Sequence, residues 1–515
     1  MLLILASIIL VVLPIAILLI LSVLGKTRET AFLSHSKNNV DVTFPKYFLW
    51  GSATASQQIE HLQNTDWTAF IIKSLSEKQN NAPNKDKEEA AYVEGIAQFP
   101  EHIIRKTANF DERYEDDLQA AAQMGHNAFR FSFCWARLFP KSGMHSPCQK
   151  GIDFYQKILD SMKSNHLKPC ATIFHFSSPL WFWEADAQGK RGWERNDALH
   201  HFEIYVSTLI THFGSQIDFW CTLNEPTTYV YLGYMDGRFP PNEKRTDMKQ
   251  TGYIIATLVR AHALCYRLLK KHAKAHNRDI QVGYTKHIRL FEPYHNHNPL
   301  DRITAAKIEQ SFIWDWMDAI HSGILKVTGT KLKIAIPEAQ HTIDYIGVNY
   351  YGRFYIKSHL LTPTHYEVLE NDPNDTQEEV NDIGWCLYPL GFRTSLQHIA
   401  KRYGQLPIYV LENGVADHAD DDKLRQALLW THLRELGLAI QEDGLDVRGY
   451  FHWALTDNFE WASGFDARFG LISVDYKQNF HRTARPSAKI FSSIITSGIT
   501  KENWQAAKTK YNIID

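Results

Sequence analysis

Eight short apolar segments recur along the chain, and each is separated from the next by enough residues for a helix. They are continuous apolar runs, which is typical of strands buried on both faces of a parallel sheet. Helical patterns such as Asp111–Met124 and Phe202–Phe213 lie between them. The predicted strands are Tyr47–Thr54, Ala128–Trp135, Cys170–Phe176, Asp218–Glu225, Ile280–Lys286, Tyr345–Tyr351, Ile408–Gly414 and Arg448–Leu455. The alternation predicts an α/β fold, a single (β/α)₈ TIM barrel over residues 44–515.

The N-terminal segment Leu2–Leu24 contains no charged residue and is almost entirely Leu, Ile, Val or Ala. That length is sufficient to cross the hydrocarbon core of a bilayer. A cleaved signal peptide is the alternative, but no basic residue precedes the apolar run and no clear small-x-small cleavage site follows it. The sequence therefore predicts a transmembrane helix within residues 1–25 and a polar tether over residues 26–43.

The charge pattern and the cysteines predict the cellular compartment and the partners of the barrel. Lys26, Arg28 and Lys37 follow the apolar segment, so the positive-inside tendency predicts a single-pass membrane protein with its barrel facing the cytoplasm. The six cysteines show no CxxC pairing or regular spacing, which favours buried free thiols in a reducing compartment. With a net charge of −2 and no basic stripe, we expect no nucleic-acid partner.

Functional groups in a barrel of this kind lie at the carboxyl ends of the strands. Those ends carry carboxylates, an arginine, amides, a tyrosine and indoles, a set that suits sugar binding and glycosidic bond cleavage. The candidates are Gln58, Glu60, Arg130, His175, Asn224, Glu225, Asn349, Tyr351, Glu412, Trp453, Glu460, Trp461 and, farther along, Phe469. Each one singly has a structural interpretation as an ion-pair partner or core residue, but their occurrence at one end of the strands favours a shared site.

Two glutamates carry the predicted chemistry. One carboxyl must protonate the leaving oxygen of a glycoside, and the other must attack the anomeric carbon or activate water. Two neighbouring carboxyls push their pKa values apart, so that one stays protonated near neutral pH. Arg130 and Tyr351 would favour ionised Glu412, which makes Glu412 the predicted nucleophile. Glu225, beside the amide of Asn224, is the predicted acid and later base.

Six segments carry motifs that occur together in one known family. They are Phe48–Glu60, Phe129–Pro140, Thr222–Pro226, Tyr409–Gly414, Gly449–Trp453 and Asp457–Ala462. In this order they resemble glycoside hydrolase family one, over Phe44 to Thr496. Thr-Leu-Asn-Glu-Pro is similar to the acid/base motif of that family, and Tyr-Val-Leu-Glu-Asn-Gly is similar to its nucleophile motif.

The resemblance implies a retaining β-glycosidase that hydrolyses β-glucosides or β-galactosides through a covalent glycosyl-enzyme intermediate. It implies that sugar hydroxyls are held by Gln58, His175, Asn224, Glu460 and Trp461. It implies neither a metal nor a cofactor, and the 25 histidines form no convincing metal-ligand pattern. The expected partner is therefore a carbohydrate or glycolipid substrate.

The third predicted strand departs from the family pattern. Residues 175–179 are His-Phe-Ser-Ser-Pro where the family has His-Trp-Asp-Leu-Pro. Phe176 lacks the indole N–H that a tryptophan would offer to a sugar hydroxyl. With the apolar N-terminus and Asn349–Gly352, this departure is similar to a smaller branch, the membrane-anchored galactolipid galactosyltransferases called sensitive to freezing. That likeness implies an alternative function, galactosyl transfer between membrane glycolipids by the same two glutamates.

Overall fold

The computed structural model describes most of the chain beyond its N-terminal segment. The described residues are 12–17, 39–79, 99–359, 366–375, 378–404 and 406–514. Of the predicted membrane helix Leu2–Leu24, only residues 12–17 belong to this set, and they are helical. The rest of that helix, and residues 26–38 of the predicted tether, lie outside the described residues. Within the described ranges, no helix combines the length and apolar character needed to span a bilayer.

Eight parallel strands form a closed barrel in which β1 pairs with β2 and β8, and β6 pairs with β7. The strands are β1 Leu49–Ala53, β2 Ala128–Ser132, β3 Lys168–Phe174, β4 Phe219–Asn224, β5 Gln281–Pro293, β6 Tyr345–Ser358, β7 Ile408–Asn413 and β8 Val447–Trp453. The predicted (β/α)₈ barrel is confirmed. Every residue of β2, β4 and β7 is buried, because one strand face lines the barrel interior and the other meets the helices.

Strands β5 and β6 are longer than the sequence pattern predicts. Their apolar runs end at Lys286 and Tyr351, but the strands continue to Pro293 and Ser358. The two extensions hydrogen-bond to each other, so their backbone groups are satisfied beyond the barrel itself. Arg289 in the first extension is buried, although its charge argues in the sequence against a buried strand. Pairing between distant segments therefore decides where these strands end.

The helices follow the strands and cover the barrel. The α-helices are Ser56–Ile59, Asp66–Gln79, Glu101–Lys106, Phe110–Gln123, Trp135–Leu138, Gln149–Ser164, Ala198–Phe213, Pro226–Val230, Met248–Ala275, Pro299–Glu309, Asp315–Ser322, Pro389–Tyr403, Lys423–Gln441, Pro486–Ser497 and Lys501–Tyr511. Two π-helical turns are Tyr231–Asp236 and Gln310–Trp314. Two short antiparallel hairpins pair Ile324–Lys326 with Lys333–Ala335, and Ile472–Asp475 with His481–Ala484. A further strand, Tyr366–Leu369, pairs antiparallel with the end of β6.

Local sequence explains how several helices begin. Asp247 precedes the longest helix, and its side chain accepts the backbone N–H of Lys249 at 2.8 Å. Asn298 caps the helix Pro299–Glu309 in the same way, with proline at its first position, where no N–H is needed. Such caps satisfy backbone donors that the helix itself leaves without partners.

The last residues of the predicted tether lie against the barrel. Val42 is buried and forms an antiparallel bridge with Ile499. Arg434 donates a hydrogen bond to the carbonyl of Val40 at 3.1 Å. A Cβ on Gly437 would overlap the Val42 side chain, so glycine permits this close approach. The described chain is therefore attached to the barrel from Val40 onward.

The cysteines are buried thiols, as predicted. All six lie within the described residues and are free, and five of them are buried. Burial raises the pKa of Cys134 to about 12, so this thiol stays protonated and unreactive.

Candidate active site

A cavity of about 140 Å³ opens at the carboxyl ends of the strands. Nine of the thirteen candidates from the sequence line it: His175, Asn224, Glu225, Tyr351, Glu412, Trp453, Glu460, Trp461 and Phe469. Gln58, Arg130 and Asn349 lie behind its wall and hydrogen-bond to residues that line it. Glu60 does not border the cavity and is instead paired with Arg137, whose Nε donates to Glu60 Oε2 at 2.9 Å. Strand ends scattered over the sequence thus come together at one opening, as expected for a barrel.

Glu412 ends β7 and is held by two donors. Arg130 Nη1 donates to Glu412 Oε1 at 2.5 Å, and the Tyr351 hydroxyl donates to Glu412 Oε2 at 2.9 Å. Burial raises the pKa of Tyr351 well above its usual value, so the phenol stays protonated and remains a donor. Both contacts stabilise the carboxylate form, and the one from the guanidinium is charge-assisted.

Arg130 is itself fixed by the strands around it. Its Nε donates to Thr172 Oγ1 at 3.1 Å, and its Nη1 also donates to the Leu411 carbonyl at 3.1 Å. Its Nη2 donates to Asn224 Oδ1 at 2.7 Å. The guanidinium is fully buried and stays charged in any protein environment. It therefore provides a permanent, immobile positive charge beside Glu412.

Glu225 follows β4 and has different partners. Asn349 Nδ2 donates to Glu225 Oε1 at 2.7 Å, and His287 Nδ1 lies 3.3 Å from Glu225 Oε2. The backbone of Glu225 is left-handed, with φ of 40°, and turns the chain from β4 directly into the helix Pro226–Val230. Phe176 and Trp461, which also line the cavity, have positive φ values too. Such uncommon conformations cluster at functional sites, where the surrounding structure enforces them.

The two carboxyls titrate as a coupled pair. Burial raises the pKa of Glu412, and the charge of Glu225 adds to this, while Arg130 and Tyr351 oppose it; the outcome is about 7. Burial also raises the pKa of Glu225, whereas a charged His287 imidazole, with help from Asn349 and Lys286, would lower that pKa below its usual range. The charge state of His287 therefore decides how readily Glu225 holds a proton.

Glu460 lines the cavity and is held by Gln58, which lies behind it. Gln58 Nε2 donates to Glu460 Oε2 at 3.1 Å and to Asn458 Oδ1 at 3.0 Å, while Trp453 Nε1 lies 3.3 Å from the same Glu460 oxygen. Burial, joined by the charges of the two catalytic candidates, raises the pKa of Glu460 to about 8. Gln58 Oε1 and His175 Nδ1 are buried and have no hydrogen-bond partner within the described part of the chain. These atoms suit sugar hydroxyls, which both donate and accept.

The sequence profile described as glycosyl hydrolase family 1 matches residues 40–499. The chain belongs to this family. Rice β-glucosidase 6 is 30% identical to it over 501 residues, covering 88% of this chain and 90% of the rice protein. The solved structure of a β-glycosidase from Pyrococcus horikoshii superposes with a TM-score of 0.75 at 32% identity, covering 92% of this chain and 99% of that one. A Thermotoga maritima β-glucosidase in complex with deoxynojirimycin gives 0.73 at 26% identity, covering 89% and 99%.

The departure of this family 1 chain at Phe176 produces an apolar wall. Phe176 packs against Trp461, with ring centroids 5.3 Å apart, and against Phe239 at 5.6 Å. Its ring also stacks on Tyr229 at 6.2 Å. Neither phenylalanine has a donor for a sugar hydroxyl, so the polar contacts of this cavity come from the strand ends around Gln58, His175 and Asn224 instead.

Several residues at the cavity were missed from the sequence. His287 follows the predicted end of β5 at Lys286 by one residue, so placing the strand end slightly later would have found it. Trp385 comes from the long connection between β6 and β7, and Phe239 follows a π-helical turn. No periodic pattern marks either loop, so only the tertiary structure shows that they reach the cavity.

Proposed function

We propose that this protein hydrolyses β-glucosides with retention of configuration, through a covalent glycosyl-enzyme intermediate on Glu412. The observation that carries the proposal is the pair of buried carboxyls at the ends of β4 and β7, of which one contacts a permanent cation and the other a neutral amide and an imidazole. Glucose is the proposed sugar because relatives at 26–32% identity include proteins named β-glucosidase. A rice β-glucosidase mutant solved in a covalent complex with Glc is also similar, with a TM-score of 0.75 at 27% identity.

In the first step, a Glu412 carboxylate oxygen attacks the anomeric carbon and the bond to the leaving oxygen breaks. Glu225 gives its proton to that oxygen, so the aglycone departs as a neutral alcohol. Arg130 and Tyr351 hold the Glu412 carboxylate in place, so its orientation needs no adjustment during attack. The products of this step are the glycosyl ester of Glu412 and ionised Glu225.

In the second step, Glu225 takes a proton from a water molecule, whose oxygen attacks the anomeric carbon. The ester bond breaks, Glu412 returns to the carboxylate and the free sugar leaves with its original configuration. The Asn224 side-chain oxygen already accepts from Arg130 and Thr285, both at 2.7 Å. Its amide nitrogen is therefore turned toward the cavity, where it can donate to the sugar hydroxyl beside the anomeric carbon.

A 2-deoxy-2-fluoro glucoside with a good leaving group tests the nucleophile. The fluorine slows both steps and the leaving group restores only the first, so the ester on the nucleophile accumulates. We expect mass spectrometry of the inactivated protein to find one added sugar, on the peptide that contains Glu412. The Glu412→Gln variant should take up no label, while the matched Glu435→Gln variant, altered at a buried glutamate remote from the cavity, should be labelled as the wild type is. A label on another residue would refute the proposed mechanism.

We also propose that Leu2–Leu24 anchors the protein in a membrane with the barrel on the cytoplasmic side. The support is the length and uncharged composition of the segment and the basic residues Lys26, Arg28 and Lys37 after it. Expressed in cells, the full chain should sediment with membranes and resist extraction by carbonate. A protease added to sealed vesicles with their cytoplasmic face outward should digest the barrel; protection would reverse the orientation, and release by carbonate would refute the anchor.

Product analysis separates hydrolysis from the galactosyl transfer that the sequence leaves as an alternative. The protein is incubated with an aryl glucoside and, separately, with galactolipid vesicles. We expect free glucose from the aryl glucoside. From the galactolipid vesicles we expect no lipid with additional galactose. Formation of oligogalactolipid that disappears in the Glu412→Gln variant would instead favour transfer.

A further inference from the structure

Arg289 lies on β5 two residues beyond His287 and is 1% exposed. Its Nε donates to His287 Nε2 at 3.0 Å. Its two terminal nitrogens have no hydrogen-bond partner among the residues described, and the guanidinium lies 4.2 Å from the ring centres of both Phe354 and Trp385. The one specific polar contact of this buried cation is therefore with the imidazole that faces Glu225.

The contact determines where the imidazole carries its proton. A guanidinium has only donors, so the His287 nitrogen that meets it must accept. Nε2 is then unprotonated, the ring is neutral and its single proton is on Nδ1. That nitrogen lies 3.3 Å from Glu225 Oε2 and 3.4 Å from Thr228 Oγ1. Arg289 thus donates to His287, and His287 in turn donates to Glu225.

A second proton on His287 is opposed from two sides. It would place an N–H against the N–H of Arg289, losing a hydrogen bond and bringing two cations together. Burial lowers the pKa of His287, and the charges of Arg289 and Lys286 lower it further, against the effect of Glu225. A neutral ring gives Glu225 a hydrogen bond but no positive charge.

We propose that Arg289 is a positioning residue that keeps His287 neutral with its proton on Nδ1, so that Glu225, and not His287, holds the proton that is delivered to the leaving oxygen. The inference rests on the proposed glycosidase function and adds a device that the two glutamates alone do not explain. Without Arg289, the imidazole could take that proton and leave Glu225 as a carboxylate in an ion pair.

The other titratable groups around Glu225 do not replace this device. Glu412 and Glu460 are carboxyl groups, which provide no positive charge in either protonation state, and Tyr351 is a neutral phenol. Burial lowers the pKa of His175 well below its usual value, so that ring is neutral as well. Lys286 is a further cation near Glu225; burial lowers its pKa to about 7, and its Nζ donates to the His287 carbonyl rather than to its ring.

The test combines Arg289→Met, His287→Asn and the double variant with two glucosides of different leaving group. An alkyl glucoside needs protonation of its leaving oxygen, and a dinitrophenyl glucoside does not. We expect Arg289→Met to lower kcat on the alkyl glucoside at least about tenfold and on the dinitrophenyl glucoside less than about threefold. In the double variant the ring that captures the proton is gone and the asparagine amide still donates to Glu225, so activity on the alkyl glucoside should recover in part.

Arg434→Met is the matched control, because Arg434 is also buried and lies over an aromatic ring, that of Trp504 at 4.7 Å, but is remote from Glu225. We expect it to change the rates on the two glucosides by equal factors. A loss in Arg289→Met that is equal for both glucosides, or that His287→Asn does not relieve, would mean that Arg289 has only a structural role and would overturn the proposal.

Nitrogen NMR of ¹⁵N-histidine-labelled wild-type protein tests the tautomer without any assay of activity. His287, assigned from its absence in His287→Asn, should show a neutral ring protonated at Nδ1 and no titration between about pH 5 and 8. In Arg289→Met the same signal should titrate within that range. A cationic ring, or a proton on Nε2, in the wild type would overturn the proposal even if Arg289→Met fails to fold. If no glycoside is hydrolysed, the proposed function fails, while the NMR result still decides the state of His287.

Discussion

The ends of β7 and β4 carry the two carboxyls of the site and surround them differently. Glu412 contacts a permanent cation, Arg130, and a phenol, so both of these contacts favour the ionised state of its carboxyl. Glu225 contacts the amide of Asn349 and the imidazole of His287, neither of which carries a permanent charge. A nucleophile must be ionised before each turnover, whereas an acid/base group must gain and lose a proton within it. The difference between the two surroundings matches the difference between the two tasks.

The two surroundings also differ in how their charge can change. The guanidinium beside Glu412 is held by Thr172, Leu411 and Asn224 and cannot be deprotonated. The imidazole beside Glu225 could take a proton, and its contact with Arg289 opposes this. Arg130 contacts Glu412 directly, whereas Arg289 contacts His287, which in turn contacts Glu225. Arg289 thus acts on Glu225 through a neutral imidazole rather than by its own charge.

Replacing each glutamate by glutamine should give the largest effects and the sharpest contrast. We expect Glu412→Gln to lower kcat by about 10⁴-fold or more on every glucoside, because no nucleophile is left. Glu225→Gln should lose about 10²- to 10⁴-fold on alkyl glucosides and much less on dinitrophenyl glucosides, which need no acid in the first step. Steady-state rates over a series of leaving groups provide the measurement, and parallel losses in the two variants would contradict the assigned roles.

Removing Arg130 should destabilise the fold as well as the site. Arg130→Met leaves Glu412 and Asn224 buried without their cation, and breaking a buried ion pair costs about 3–5 kcal/mol in free energy of unfolding. The pKa of Glu412 rises in the variant, so its folded state binds more protons than its unfolded state. Because the pKa of Glu412 is already about 7 in the wild type, the additional loss of stability in the variant should grow as pH rises above about 7.

Urea unfolding at several pH values measures that loss. Arg402→Met is the control, because the Arg402–Asp318 ion pair is partly exposed. Pairs of that kind contribute about 0–1 kcal/mol, so the control should differ little from the wild type at any pH. An equal loss in both variants would show that Glu412 does not depend on the charge of Arg130.

Tyr351→Phe should give the smallest of the three effects. It removes one hydrogen bond to the Glu412 carboxylate, a contact of a kind that contributes about 1.5–3 kcal/mol. We therefore expect kcat/KM to fall by about 10- to 150-fold on all glucosides. The neighbouring Tyr350→Phe is a matched control, since its hydroxyl donates to the Tyr388 carbonyl at 2.7 Å, away from the cavity. Equal activity losses in the two variants would indicate a packing effect rather than loss of the contact with Glu412.

Much of the barrel was predictable because its strands are buried on both faces. Such strands are continuous apolar runs, and β2, β4 and β7 are recognisable for that reason. The ends of β5 and β6 were predicted too early, since their extensions carry Arg289 and Arg353, which are buried through pairing between the strands and contacts with aromatic rings. A charge in a sequence predicts exposure unless its partners are known, and these partners lie far away in the chain.

The site shows the same division. Residues at the last or next-to-last position of a strand, such as Asn224, Glu412 and Trp453, could be chosen from the sequence because barrel geometry places every strand end at one opening. His287, Trp385 and Phe239 could not, because they lie in a strand extension or in loops whose course depends on the rest of the fold. The roles assigned to the chosen residues stay predictions until the variants are measured.

By itself the sequence determined the class of fold, the family and the two glutamates at the ends of β4 and β7. Local apolar pattern and short motifs are sufficient for these, because they depend on residues that are adjacent in the chain. Only the tertiary structure decided which groups surround each carboxyl, and hence what proton each can hold. The charge state of Glu225 depends on His287, and that of His287 on Arg289, through contacts of 3.3 and 3.0 Å. Electrostatic and hydrogen-bond interactions act over a few ångströms of space. The order of residues along a chain does not give the distances between their side chains.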